Sequence, residues 1–331
     1  MILKRNILTK YYGILEENRM PKFKQSKFIK VDFDKTEKTK DLWKKHDDYL
    51  KKIQLSDLQP EQSLLDLKIE LASRVFKNCH FCERKCMVDR TKESGICGVK
   101  RSSVASEFLH LGEERVLVPS HTIFFSGCTF NCVFCQNWDI SQNNNGLYIE
   151  PKKMADIIKN RELQGSKNVN WVGGDPTPNI LYILFVLKKL DVDISQIWNS
   201  NMYCSLDTMK LLDGVIDLYL TDFKYGNNNC AKRLSKIDNY FEIVSRNHKK
   251  AIENGDMIIR HLVMPNHVRC CSKPVVDWIS ENMSDVIVNI MGQYRPSYQA
   301  GKYDDISRAV SISEVKEVKD YAKKKGIFIK D

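Results

Sequence analysis

From residue 121 onward, short apolar stretches alternate with longer amphipathic ones. Thr122–Ser126, Asn168–Val172, Gln196–Trp198, Asp217–Thr221, Met257–Val263 and Val286–Ile290 are short, and the spacing predicts strands. Met154–Gln164, Asn179–Leu190, Leu206–Leu212, Tyr240–Asn254, Lys273–Asn282 and Ser313–Lys325 have the length and period of helices. Ile327–Ile329 reads as a terminal strand. Strict alternation implies a parallel sheet with helical crossovers. Several strands are apolar along their whole length, as expected when both faces are covered. Six such units fit an open doubly wound sheet or a partial barrel, and period alone does not choose between them.

Residues 1–75 have a different texture. Asp41–Lys52 and Ser63–Phe76 carry apolar residues at helical spacing, for example Leu64, Leu67, Leu71 and Val75. Residues 76–110 form a separate segment, rich in cysteine and punctuated by glycine.

A polar or glycine-rich cluster follows each predicted strand. These are Gly127-Cys128, Gly173-Gly174-Asp175-Pro176, Asn199-Ser200-Asn201, Asp222-Phe223-Lys224, Pro265-Asn266-His267 and Gln293-Tyr294-Arg295. In a parallel α/β fold these strand ends share one face, so the active site is expected there.

Composition narrows the class. The chain has 331 residues, 42% hydrophobic and 28% charged, which excludes wholesale disorder. Its longest apolar run, Ile180–Leu187, is far short of the about 20 residues a membrane span needs. The first residues, MILKRNILTKYYG, lack a long apolar signal run. No membrane association is expected, and the expected location is the cytoplasm. Net charge is +10, and the first sixty residues hold fifteen Lys and Arg against nine Asp and Glu. Without an arginine-rich motif or interleaved aromatics, this reads as a solvated helical face, and nucleic acid is not indicated.

The eleven cysteines change the picture most. Seven fall between residues 79 and 135. Cys79, Cys82, Cys86 and Cys97 form one group, and Cys128, Cys132 and Cys135 the other. In a cytoplasmic chain such clusters bind metal or do redox chemistry more often than they form disulfides. Cys204, Cys230, Cys270 and Cys271 read as buried small hydrophobes. The adjacency of Cys270 and Cys271 leaves a redox pair as a second reading.

Three closely spaced thiolates without a fourth nearby suit a [4Fe–4S] cluster with one iron left open to a small molecule. The alternative is a zinc ion that shares the three with a distant ligand such as His121. The segment Gly127-Cys-Thr-Phe-Asn-Cys-Val-Phe-Cys-Gln-Asn137 resembles the cluster loop of the radical S-adenosylmethionine (SAM) superfamily, C-x3-C-x-aromatic-C, with Phe134 in the aromatic place. Gly173-Gly174-Asp175-Pro176 resembles that superfamily's glycine-glycine-acid-proline motif, with Asp where Glu is commoner. The resemblance spans roughly residues 65–325. It is nearest to the pyruvate formate-lyase activating enzyme-like branch, among members with an N-terminal four-cysteine motif and no assigned substrate.

The resemblance implies a partial (β/α)6 barrel of the TIM type as a radical SAM core over residues 111–331. Residues 1–75 would be a basic helical N-terminal extension, and 76–110 a cysteine-rich metal-binding segment. It implies a [4Fe–4S] cluster on Cys128, Cys132 and Cys135, and SAM on the fourth iron. Reductive cleavage of SAM then gives methionine and a 5′-deoxyadenosyl radical that abstracts hydrogen. A one-electron reductant, flavodoxin- or ferredoxin-like, and a protein substrate are the implied partners.

Contacts to SAM fall by position on Phe134, Gln136, Gly173, Gly174, Asp175, Asn199, Asp222, Lys224 and Gln293. Phe134 would pack near adenine. The two glycines would let the backbone approach the SAM amino group. Lys224 would pair with a carboxylate. Two departures matter. Gln293 stands where the activating enzymes carry a histidine, and Asn199-Ser200-Asn201 stands where they carry Asp-Thr-Asn-Gly, which removes the acid of a monovalent cation site. Arg260 is a candidate for a substrate carboxylate or for an internal ion pair. His261 should point away from the site. No side chain is singled out as catalytic.

Cys79, Cys82, Cys86 and Cys97 can complete a four-thiolate shell for zinc or for a second Fe–S cluster. Two other classes compete with the enzyme. One is a zinc-stabilised module that binds RNA or protein. The other is a two-cluster electron-transfer protein without SAM chemistry.

Overall fold

The computed structural model describes residues 6–143 and 145–329. Seven strands form one sheet in sequence order: β1 (Val104–His110), β2 (Ser120–Phe125), β3 (Asn168–Trp171), β4 (Ser195–Ser200), β5 (Leu218–Asp222), β6 (Asp256–Leu262) and β7 (Ile287–Met291). β2 to β7 are parallel, and β1 runs antiparallel to β2. The fold is α/β, an unclosed barrel. All six expected strands are present, each followed by its expected helix. Ile329 makes a parallel bridge to Val288.

Helices α1 (Thr9–Leu15), α2 (Lys22–Phe28), α3 (Thr39–Lys51) and α4 (Leu64–Lys77) precede the sheet. The outer helices are α5 (Trp138–Ser141), α6 (Pro151–Leu163), α7 (Ile180–Lys189), α8 (Leu206–Leu212), α9 (Asn228–Ser235), α10 (Tyr240–Asn254), α11 (Lys273–Asn282) and α12 (Ile312–Lys324). Local chemistry sets their starts. Ser63 with Asp66, and Ser311 with Glu314, form capping boxes, and the Asn227 side chain accepts the Cys230 N–H to start α9. Among the described residues, no helix is long and apolar enough to cross a membrane.

Strand alternation divides the interior in two. Trp198, Tyr219, Met257, Ile259 and Val288 face the helices and belong to the main core. Ile197, Leu218, Leu220, Ile258 and Ile287 form a second cluster inside the barrel, with Leu8, Tyr11 and Leu117. The first of these helices, α1, is therefore the floor of the barrel. The Tyr11 N–H donates to Asp256 Oδ2 at 2.8 Å, and Asn168 Nδ2 donates to the Tyr11 hydroxyl at 2.9 Å. The remaining N-terminal helices pack on the outside, with α4 against α7.

β1 lies inside the stretch expected to be a metal-binding segment, yet it is the sheet's edge. The loop after it, Leu111–Pro119, carries Glu113 and Glu114 into the barrel. Glu113 accepts from Asn170 Nδ2 of β3 at 3.3 Å, and Glu114 accepts from Asn289 Nδ2 of β7 at 2.7 Å.

Candidate functional site

The polar clusters after the strands do meet on one face. The cluster loop leaves β2 through Ser126 and Gly127. Gly127 sits at φ +84°, and a Cβ there would lie 2.3 Å from Val99 Cγ2, so only glycine fits. The three sulfurs touch three different elements. Cys128 Sγ lies 3.2 Å from the Gly174 carbonyl after β3, Cys132 Sγ 2.9 Å from Ser235 Oγ of α9, and Cys135 Sγ 3.2 Å from Ser141 Oγ of α5. The loop backbone is fixed as well. The Asn131 and Val133 N–H groups donate to the Ser235 and Leu234 carbonyls at 3.1 and 2.9 Å.

Burial raises the Cys128 thiol well above its ordinary value, and nearby Asp175 adds to the rise. Cys132 is pushed up to about 12 by burial first and by Cys135 second, with Lys224 acting in the opposite direction. Buried thiols with such values form thiolates only where a cation compensates them. Cys128 and Cys132 of this kind, with Cys135 on the same anchored loop, fit a cationic iron–sulfur cluster.

The structure gives Gly173 and Gly174 a reason other than approach to a ligand. A Cβ on Gly173, at φ +110°, would lie 2.2 Å from the Phe125 nitrogen, and one on Gly174 would lie 2.1 Å from the Gly127 carbonyl oxygen. What approaches these glycines is the end of β2. Asp175 is also turned inward and hydrogen-bonded within the protein. It accepts from Thr129 Oγ1 at 3.0 Å and Ser200 Oγ at 2.8 Å, and Asn201 Nδ2 donates to Thr129 Oγ1 at 2.9 Å. Its carboxylate ties the cluster loop to the end of β4. Burial pushes its pKa up, against these hydrogen bonds.

Asn199, Asp222 and Lys224 come together with Arg260 at the mouth of the barrel. Asp222, Arg260 and Asn289 are register partners on β5, β6 and β7. Arg260 donates through Nε to Asp222 at 3.1 Å and through Nη2 to Asn199, and it pairs with Glu113 at 3.5 Å. Lys224 Nζ also bonds Asp222. Burial opposes charge on Asp222, yet Lys224 and Arg260 hold its pKa below the ordinary value. Arg260 is thus part of an internal ion network. His261 points away, as expected: its ring nitrogens bond the Phe223 carbonyl at 2.7 Å and Ser272 Oγ at 2.8 Å.

Gln136 and Gln293 also meet, although they are far apart in sequence. Gln136 Nε2 donates to the Gln293 carbonyl at 3.2 Å. Phe134 packs on Tyr294 with ring centroids 5.7 Å apart, and Trp138 stacks on Tyr298 at 5.6 Å. The cluster loop therefore spans the open seam between β2 and the residues after β7.

The four-cysteine segment abuts this loop. Cys79 and Cys82 are buried, and Cys86 and Cys97 are half-buried. A Cβ on Gly95 would lie 3.2 Å from Cys86 Sγ and 3.5 Å from Cys97 Sγ, so those sulfurs converge on one glycine. Burial pushes Cys79 up to about 11 and Cys82 to about 12. This donor set fits a metal for the same electrostatic reason as the loop.

Reading the last four cysteines as buried small hydrophobes holds for Cys204 and Cys271 as far as burial goes. It fails for Cys230, which is half-buried, and Cys270, which is exposed. The sequence reading also missed Glu113 and Glu114, Ser141 and Ser235. For the glutamates the one available signal was an acidic pair beside Gly112. For the serines there was none, because their role depends on tertiary placement.

Residues 122–279 match the Radical SAM superfamily. These residues carry a radical SAM superfamily domain, and that family implies a [4Fe–4S] cluster and SAM. In particular, the chain shares its family with "Uncharacterized protein MJ0674" of Methanocaldococcus jannaschii, 50% identical over 330 residues that cover 96% of this chain and 97% of that protein. Similar solved structures include methylornithine synthase PylB, with TM-score 0.47 and 11% identity over 97% of this chain and 78% of that one. SuiB of Streptococcus suis bound to S-adenosylmethionine has TM-score 0.45 and 15% identity over 61% of this chain. The chain spans less than half of SuiB's length, 47%.

Proposed function

We propose that this radical SAM enzyme is glycyl radical activase-like and abstracts a hydrogen atom from a protein substrate, with electrons from a flavodoxin- or ferredoxin-like reductant. The observation that carries the reading is the cluster loop itself, with one buried and two half-buried thiols, each against a different element, at the mouth of a charged barrel. A cluster bound there with SAM supplies a carbon radical from reductive cleavage. Cys128, Cys132 and Cys135 would hold the cluster.

The chain's own residues orient and shield. Gly127, Gly173 and Asp175 fix the loop against β3 and β4. Phe134 and Tyr294 form an apolar wall that keeps water from the seam. Gln136, Asn199, Lys224 and Gln293 offer donors to the ribose and carboxylate of SAM, and Lys224 exchanges Asp222 for that carboxylate. Exposed Trp138 and Tyr298 at the rim suit a macromolecular surface rather than a fully enclosed small molecule. Cys79, Cys82, Cys86 and Cys97 would hold a zinc ion or a second Fe–S cluster beside the loop.

The test begins with anaerobic protein, reductant and SAM, where 5′-deoxyadenosine should appear and Cys132→Ala should abolish it. A cell extract from the source organism should then yield a SAM-dependent organic radical on a polypeptide, seen by electron paramagnetic resonance. Release of 5′-deoxyadenosine coupled only to a dialysable small molecule would overturn the protein-substrate reading.

A further inference from the structure

A third cysteine group lies outside both groups described above. Cys230 lies in the first turn of α9, and His267, Cys270 and Cys271 follow β6. Their ligand atoms all lie within 4.8 Å of one another. Cys270 Sγ is 3.9 Å from Cys230 Sγ and 3.9 Å from Cys271 Sγ. His267 Nδ1 is 3.7 Å from Cys230 Sγ, 3.3 Å from Cys270 Sγ and 3.7 Å from Cys271 Sγ. We propose that these four residues form a closed tetrahedral site for a single zinc ion.

Size supports the assignment. Four donors around one zinc, at Zn–S about 2.3 Å and Zn–N about 2.0 Å, stand about 3.8 Å apart for sulfur pairs and about 3.5 Å apart for sulfur–nitrogen pairs. The observed edges match this set. Thiolates of a [4Fe–4S] cluster bind different irons and so stand farther apart than donors that share one ion. A disulfide fits less well. Bonded sulfurs lie about 2.05 Å apart, and neighbouring residues place their Cα atoms about 3.8 Å apart, below the usual disulfide range.

The orientation of the histidine is an independent observation. Its Nδ1 faces the three sulfurs, while Nε2 lies 2.9 Å from Asp305 Oδ2. A carboxylate on the far nitrogen fixes which nitrogen is free to bind metal, and zinc histidines are commonly held this way. Asp305 is itself held by Arg233 and is placed by Asn266, whose Nδ2 donates to the Asp305 carbonyl at 2.8 Å. Arg233 also offsets the net negative charge of three thiolates on a divalent ion.

The backbone is shaped for the site. Residues Val268–Ser272 form a π-helical turn, which changes the angle between successive side chains so that both Cys270 and Cys271 reach the same point. Asn227 caps α9 and donates to the Cys270 carbonyl at 2.7 Å. The ion would pin the start of α9, and the far end of α9 holds the cluster loop through Leu234 and Ser235.

The experiment uses the full chain, purified anaerobically with zinc supplied, and measures zinc and iron per chain by mass spectrometry. Cys271→Ser and His267→Gln should each lose one zinc equivalent with folded circular dichroism spectra and unchanged iron. Asp305→Asn, on the half-exposed far side, keeps all four ligands. It should release one zinc about 10–100-fold more readily to a competing chelator. Zinc content and retention unchanged in the three variants would overturn the proposal. So would loss of iron with zinc retained, or peptides that join Cys230, Cys270 or Cys271 by a disulfide in the freshly isolated protein.

Discussion

Arg84 of the four-cysteine segment donates its Nε–H to the carbonyl of Thr129, inside the cluster loop, at 2.6 Å. A second bond, from Nη2 to the Lys236 carbonyl at 2.8 Å, ties the same guanidinium to the end of α9. Charge-assisted hydrogen bonds contribute about 1.5–3 kcal/mol each when partly shielded. Arg84→Met should therefore speed loss of loop-bound iron to a chelator by roughly tenfold. Iron release at the wild-type rate would show that the two cysteine groups are independent.

Gly173→Val tests what the glycine pair is for. Backbone of Phe125 occupies the place of the new side chain, and φ is positive. The expected cost is about 3 kcal/mol or more of stability, visible as a lower denaturation midpoint even without SAM. A variant with wild-type stability and weakened SAM binding would return the glycine to a ligand role.

Arg260 joins two acidic side chains, Asp222 and Glu113, and all three are mostly shielded from water. Arg260→Gln leaves carboxylates unpaired at the barrel mouth, with an expected loss of about 3 kcal/mol in urea unfolding. Adding Asp222→Asn should recover part of that loss. Additive losses in the double variant would argue against a shared network.

Lys68 gives a pH prediction. It is fully buried, with Nζ 2.6 Å from His46 Nε2 and 3.0 Å from the Lys210 carbonyl. Burial lowers its pKa to about 7 from the ordinary 10.5. Between these values the unfolded chain binds more protons than the folded one, so stability rises with pH. The penalty is complete below about pH 7 and absent above about pH 10.5. Lys68→Met lacks this dependence. Over two pH units, from 7 to 9, the wild type should gain up to about 2–3 kcal/mol relative to the variant in urea unfolding. Parallel stability curves for the two proteins would rule the effect out.

The alternating part of the fold was legible because short strand-length apolar stretches alternate with segments that keep a helical period. Leu206–Leu212, Tyr240–Asn254 and Lys273–Asn282 have the expected ends. β1 was not legible, since an edge strand exposes one side and Val104–His110 mixes Ser, Glu and His into its run. The two spaced cysteine groups were visible as local motifs. The third group was not, because its ligands are spread from residue 230 to 271 and converge only through the barrel and a π-turn. Gly173, Gly174 and Asp175 were legible as a motif, but their neighbours were not. Sequence alone gives no sign that the β2 end presses on those glycines, or that Thr129 and Ser200 reach the carboxylate.

The floor of the barrel constrains the order in which the molecule can be completed. Tyr11 emerges from the ribosome 245 positions ahead of its partner Asp256, and further still ahead of Ile287 of the same apolar cluster. Until those residues are made, α1 has no seat. Its greasy side must be sheltered, by a chaperone or by the nascent chain itself, until the last strands arrive to receive it.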